Sequence, residues 1–313
     1  MMLCETQPRT VIPDAIPITI NSPVTLEKPS NEPDFFEKFI VEPGTRVKLN
    51  EIDPSYKGKY ESEAQALPAV SALLQTIDTL HYVMHAEKKN SLLIVLQGMD
   101  AGGKDGVVRR IVTGVNPAGC RVIGFKQPTA EELKHDFLWR VHQHVPGKGE
   151  VVIFNRSHYE DVLVVRVHQL APAHVYSKRY DTINNFEQLL MQENDTMVLK
   201  FLLHISKEEQ LMRFKHRLED PTRRWKVSES DYKEREYWDD YIKAFEDMLH
   251  RTSTRHAPWF VIPSNHKWFR DLAVSQIIMR TLEDLNMKIP APAVDIARIR
   301  NRYHAAELKA KAS

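Results

Sequence analysis

Residues 91–110, SLLIVLQGMDAGGKDGVVRR, constrain this chain more than any other stretch. The apolar run Leu92 to Leu96 has the length and composition of a buried strand. It breaks at a glycine-rich turn, Gly98 to Gly106, and helical spacing follows at Val107, Val108, Ile111 and Val112. Strand, glycine-rich turn and helix in that order predict a phosphate-binding loop. Glycines let backbone N–H groups turn inward around an anion, and the helix N-terminus adds partial positive charge. Lys104 supplies a full charge that can follow a phosphoryl group in transfer. The loop departs from the usual pattern twice. Asp105 stands where a serine or threonine would hold a metal ion, and another acid, Asp100, lies inside the turn.

Four further apolar runs read as strands: Arg121–Phe125, Val151–Phe154, Met197–Leu203 and Trp259–Ile262. Helical patterns separate them, at 66–88 and then 130–144, 173–194, 206–218, 229–250 and 266–286. Strands alternating with helices predict an α/β domain, a parallel sheet of about five strands with helices on both faces. Ligands of such sheets bind beyond the carboxyl ends of the strands, so the later strand ends should converge on the loop. Six prolines within residues 1–35 predict an extended N-terminal arm. The domain proper is expected over 36–290, opening with a polar entry segment at 36–62. A mostly polar helical tail follows at 291–313.

Basic and acidic residues nearly cancel, 43 against 42, so attraction for a polyanion must come from local clusters. That balance, with no nucleic-acid-binding motif, argues against a nucleic acid partner. Two cysteines in no metal spacing, no apolar leader and no run of membrane-spanning length predict a cytoplasmic protein off the membrane.

The run VVIF at 151–154 feeds directly into NRSHYED at 155–161. This is where a P-loop enzyme carries its metal-handling acid. Here that position is Asn155, which brings no charge. The missing charge could come from Asp100, Glu160 or Asp161. Arg156 is planar and bidentate, suited either to phosphate oxygens or to pairing with Glu160 or Asp161. His158 reads as a structural hydrogen-bonding histidine. Residues 213–226, RFKHRLEDPTRRWK, hold six Lys or Arg, among them Arg217, Arg223, Arg224 and Lys226. Asp220-Pro221 breaks the helix between them, giving a lid-like helix–turn–basic run over about 207–232. Such arginines can close over phosphates and exclude water. The segment Lys126-Gln127-Pro128-Thr129 follows a strand end and, with Arg109, is a candidate nucleotide site. Asn265, Lys267, Trp268 and Arg270 follow the last strand end and could contribute to the nucleotide or phosphate site.

GMDAGGKDG at 98–106, FKQPT at 125–129, FNRSHYEDVLVVRVH at 154–168, DPTRRWKVSESD at 220–231 and APWFVIPSNHKWFRDL at 257–272 together resemble the polyphosphate kinase 2 family. The resemblance implies a thymidylate-kinase-like P-loop core with a helical lid. It implies reversible phosphoryl transfer between inorganic polyphosphate and a nucleotide, with Mg2+ or Mn2+, in a homodimer or homotetramer. Asp100 and Lys104 match the family's loop acid and lysine, Arg156 its arginine after the strand, and Arg217, Arg223, Arg224 and Lys226 its basic lid. Many members carry FDRSWYNR where this chain has FNRSHYED. The Asn155, Glu160 and Asp161 combination resembles the branch acting on both nucleoside mono- and diphosphates.

The expected catalytic set is therefore Asp100, Lys104, Asn155, Arg156 and Glu160. Metal ions would be held by Asp100, Glu160 and Asp161. Polyphosphate would be gripped by Gly98, Ala101, Gly102, Gly103, Lys104, Asp105, Gly106 and the lid cations. Two rivals share these features: an ATP-dependent nucleoside monophosphate kinase, and a non-catalytic module that senses polyphosphate or nucleotide. The two acids in the loop argue against the second, because a passive anion cradle gains nothing from them.

Overall fold

The alternation of side chains along β-strands explains the architecture of this protein. In the computed structural model, which describes residues 34–312, Leu92, Ile94 and Leu96 enter one apolar core while Leu93 and Val95 enter another. A strand buried on both faces must be central, and this one is hydrogen-bonded on both edges to parallel neighbours.

In chain order the elements are α1 (Phe35–Phe39), β1 (Ile40–Val41), α2 (Glu63–Glu87), β2 (Ser91–Gln97), α3 (Lys104–Val112), β3 (Cys120–Gly124), α4 (Trp139–His142) and β4 (Val151–Asn155). Next come α5 (Val164–Val167), α6 (Ala173–Asn194), β5 (Thr196–His204), α7 (Lys207–Glu219), α8 (Glu229–Glu236), α9 (Trp238–Thr252), β6 (Trp259–Pro263), α10 (Lys267–Asp284) and α11 (Ile296–Ala312). The strands form one sheet in the order β1-β6-β5-β2-β4-β3. Residues of α1, α2, α3 and α10 pack on one face, and residues of α6 and α9 on the other. This sandwich carries the phosphate loop after central β2, with the ends of β4, β5 and β6 beside it.

The expected five strands are present and parallel, with boundaries shifted by a residue or two. A sixth, β1, extends the sheet antiparallel to β6. At two residues it is too short to show a period. Phe39 of the entry segment and Phe35, expected in the arm, are both buried in α1 against α10, with Phe35 edge-on to Phe269 at 5.3 Å, so this stretch is less polar in role than expected. The extended arm expected over 1–35 lies outside the described residues up to Pro33, and Asp34 already caps α1.

Two expected helices are broken. Over 130–144 the chain makes a 3-10 turn at 132–134 and one turn of α4. The pattern at 229–250 divides at Tyr237 into α8 and α9, which separates the lid from the core. The tail is helical as α11 and exposed along 296–311 except for half-buried Glu307. Among the described residues no helix is long and apolar enough to cross a membrane.

Candidate active site

The loop after β2 is shaped by its glycines and held by contacts of its own lysine and of β5 and α10. Gly98 has φ +150°, and a side-chain carbon there would sit 2.8 Å from the Leu203 carbonyl oxygen of β5. Gly103 has φ +107°, and a side-chain carbon there would collide with Arg270 of α10. Both positions therefore require glycine. Lys104 opens α3 and folds back, its Nζ donating to the carbonyls of Gly98 at 2.7 Å and Met99 at 3.1 Å. Burial, with the nearby Arg156 charge, lowers the Lys104 pKa from 10.5 to about 8; Asp100, Glu160 and Asp105 oppose that fall.

Arg156 follows β4 with φ +62°, a strained conformation for a residue with a side chain. Its Nη2 donates to Asp100 Oδ1 at 2.7 Å, and Nη1 lies 3.7 Å from Glu160 Oε2. The next turn, residues 158–161, is pinned from below. Tyr159 donates to Glu187 Oε1 at 2.8 Å, and His158 Nε2 lies 3.2 Å from the same oxygen. Lys200 of β5 donates to Glu187 Oε2 at 2.6 Å, to Tyr159 Oη at 2.9 Å and to the Thr252 carbonyl at 2.7 Å. Lys200, Glu187, Tyr159 and His158 are fully buried. Burial opposes charge on Glu187, but the Lys200 ammonium outweighs it and holds the carboxyl low. This network explains why consecutive residues of the turn have different fates.

Glu160 faces the loop, and burial raises its carboxyl while Arg156 and Lys104 pull the other way. Asp161 points elsewhere and accepts from Arg179 of α6 at 3.0 Å. The expected metal trio of Asp100, Glu160 and Asp161 is thus not brought together. Among the described residues no group of three His, Cys, Asp or Glu side chains converges to hold a metal ion. Asp105 completes a different set: Asn155 donates to its Oδ1 at 2.9 Å and Lys226 of the lid to its Oδ2 at 3.0 Å. Partial burial works against charge on Asp105, but these hydrogen bonds outweigh it and hold its carboxyl below the usual range.

An open cleft of about 780 Å³ runs from the loop beneath the lid. Ten Lys or Arg side chains line it against two carboxylates, Asp100 and Asp105. The cations include Lys104, Arg109, Lys126, Arg156, Arg217, Arg223 and Lys226, all expected from the sequence. They also include Arg213, Lys267 and Arg270. Arg213 is held by the Ala101 carbonyl at 2.8 Å and the Ser264 carbonyl at 2.5 Å, so it ties α7 to the loop and the end of β6. Of the expected phosphate and nucleotide ligands, Gly98, Pro128, Thr129 and Arg224 lie outside the cleft lining, Gly98 facing a smaller pocket. Arg224 instead donates to the Leu218 carbonyl at 2.9 Å. Thr129 and Pro128 belong to a turn in which Glu132 and Thr129 bond to each other's backbone amides.

A second, small pocket of about 30 Å³ adjoins the loop at Gln97–Asp100. Leu163, Val164, Trp238, Tyr241 and Phe245 form its apolar wall, with Glu160, Gln210, Glu234 and Arg235 as polar groups. Gln210 donates to the Asp100 carbonyl at 2.9 Å. Asp100 and Arg156 line both this pocket and the basic cleft, so the two spaces meet at that ion pair. The aromatic wall was missed in the sequence, because positions 238, 241 and 245 have the spacing of any core-facing helix.

The family model described as Polyphosphate kinase 2 matches residues 57–290. An AMP/ADP-polyphosphate phosphotransferase from Meiothermus ruber is 49% identical over 257 residues, covering 82% of this chain and 96% of that protein. An ADP-polyphosphate phosphotransferase from Rhodopseudomonas palustris is 40% identical over 266 residues, covering 81% of this chain and 92% of that one. The crystal structure of polyphosphate kinase 2 from Arthrobacter aurescens superposes with a TM-score of 0.81 at 38% identity, over 85% of this chain and 95% of that chain. With more than half its length matched by the family model, and with these identities, the chain belongs to the polyphosphate kinase 2 family.

Proposed function

We propose that this enzyme transfers a phosphoryl group reversibly between inorganic polyphosphate and nucleoside mono- or diphosphates, with adenine and guanine nucleotides as acceptors. One observation carries the reading: ten cations and two carboxylates line a cleft of about 780 Å³ that runs from the phosphate loop beneath the lid. A linear polyanion and the phosphates of a nucleotide suit this cleft, whereas the pocket beside it, at about 30 Å³, has room for about one water and not for a base. Phosphoryl transfer needs alignment and charge cancellation more than covalent catalysis. Lys104 and Arg156 neutralise the group in transfer, and the loop amides orient it. The acceptor is an ionised phosphate and needs little help from a base.

Oxygen donors fit Mg2+, which takes one or two carboxylates plus substrate phosphates and keeps several waters. Asp100 would be its first ligand, with Glu160 or Asp105 the second, and Mn2+ would suit the same donors. When bound, the ion would neutralise phosphate charge. The scarcity of cysteine fits an enzyme of the cytoplasm, where nucleotides are abundant.

The test supplies long polyphosphate with AMP, ADP, GMP or GDP as the sole nucleotide. The expected products are the corresponding di- and triphosphates. Lys126→Ala, at the expected nucleotide site and in the cleft lining, should raise the KM for nucleotide at least fivefold and leave that for polyphosphate within about twofold. A strict need for ATP as donor would overturn the reading, and so would unaltered nucleotide KM in the variant.

A further inference from the structure

Helix α11 lies beyond the family match, which ends at residue 290. Ile296, Ile299, Tyr303, Ala306 and Ala310 recur along it at alternating steps of three and four. That spacing is the a and d seam of a heptad, one stripe along the helix. Ile296, Ile299 and Tyr303 are 46%, 48% and 64% exposed. Leu308 lies on the opposite side and takes no part.

The charges beside the seam select its partner. Asp295 and Arg302 occupy g positions, and Arg300 and Glu307 occupy e positions. In a parallel, in-register pair of identical helices each g residue faces the e residue five places on in the other helix. Asp295 then meets Arg300, and Arg302 meets Glu307. Two-fold symmetry repeats both contacts, giving four opposite-charge pairs. An antiparallel pair on the same seam faces g to g and e to e. It sets Asp295 against Lys309 but Arg302 against Arg302, or, one heptad along, Arg300 against Glu307 but Arg302 against Lys309. Like-charge pairs therefore offset the opposite-charge ones, a cost the parallel pair does not suffer.

We propose that α11 is a self-association element, and that two copies of this chain pair these helices in parallel along the Ile296–Ile299–Tyr303 seam. The helix is roughly 25 Å long and holds between two and three heptads, so the pair is modest in strength and concentration-dependent. This gives the expected homo-oligomer a specific contact. It rests on the helix alone and is independent of the chemistry proposed above.

Disulfide trapping in the full chain tests it. Ala310→Cys places a thiol on the seam far from the domain, and Asn301→Cys places one on the outer face. Cys4 and Cys120 are common to both variants. Under mild copper–phenanthroline oxidation, Ala310→Cys should trap a covalent dimer at several times the yield of Asn301→Cys. Adding Arg302→Glu should lower that yield severalfold, and adding Glu307→Arg as well should restore it. Equal trapping at the two positions would overturn the proposal, as would indifference to Arg302→Glu. A third outcome would also overturn it: neither cysteine traps a dimer, and deletion of 291–313 weakens retention of long polyphosphate, making α11 a polyanion arm.

Discussion

Replacing Lys104 by methionine should abolish transfer and stabilise the fold, and the size of the second effect follows from burial. The ammonium is only 8% exposed, and its pKa falls from 10.5 to about 8. Each tenfold loss of proton affinity is 1.36 kcal/mol, so holding the charged form there costs about 3 kcal/mol. Between the two pKa values the unfolded chain binds more protons than the folded one, so this group makes stability rise with pH. The cost is fully present below about pH 8, shrinks from there upward, and is gone above about pH 10.5. Between about pH 7 and about pH 10 it should diminish by about 2.5 kcal/mol. Lys104→Met keeps the aliphatic stem and removes the titration. Urea denaturation of both proteins across that range gives a difference in which other titrating groups largely cancel. Methionine should be the more stable near pH 7, and the gap should close toward pH 10. Polyphosphate in the cleft favours the ammonium, so binding near pH 8 should draw in protons, measurable by titration calorimetry in buffers of different ionisation enthalpy. A stability difference that does not change with pH would refute the reasoning, because it would mean that the lysine is not charged at a cost in the free enzyme.

Asp105→Asn breaks the lid contact with Lys226. The aspartate side chain is 67% exposed, so the pair is worth at most about 1 kcal/mol. The KM for polyphosphate should fall by up to about fivefold, and a rise would show that Asp105 serves the substrate instead of latching the lid. On the 158–161 turn, Asp161→Asn should cost ~1–3 kcal/mol of stability through the Arg179 contact and leave kcat/KM within about twofold. Glu160→Gln should lower kcat/KM at least about tenfold, or about 1.4 kcal/mol of barrier. Equal kinetic effects from these neighbours would dissolve the distinction between them.

The parts of the site legible in the sequence are those in which one short segment fixes the chemistry. The phosphate loop is strand, turn and helix in twenty-two contiguous residues, Ser91–Val112. Arg156 follows because a buried strand must end at the edge of the sheet. The illegible parts depend on what a distant segment supplies. Glu160 and Asp161 are equivalent in composition, and Arg179 of α6 with the Lys200–Glu187 network settles which of them faces the loop. Trp238, Tyr241 and Phe245 become a pocket wall because α5 and the loop stand opposite them.

The same dependence governs the charges. As a list of residues, the cleft offers cations to a polyanion. In the fold, Arg156 holds Asp100, Lys226 holds Asp105 and Arg217 holds Asp231 at 2.8 Å. An entering polyphosphate therefore exchanges carboxylate partners for phosphate ones. The net gain per cation is smaller than for a free one, because a favourable contact is lost each time. The released carboxylates remain beside the phosphates, where they repel unless a cation joins them. A divalent ion bound with the substrate would relieve that repulsion, so polyphosphate affinity should depend on Mg2+ more steeply in the native enzyme than in Asp105→Asn.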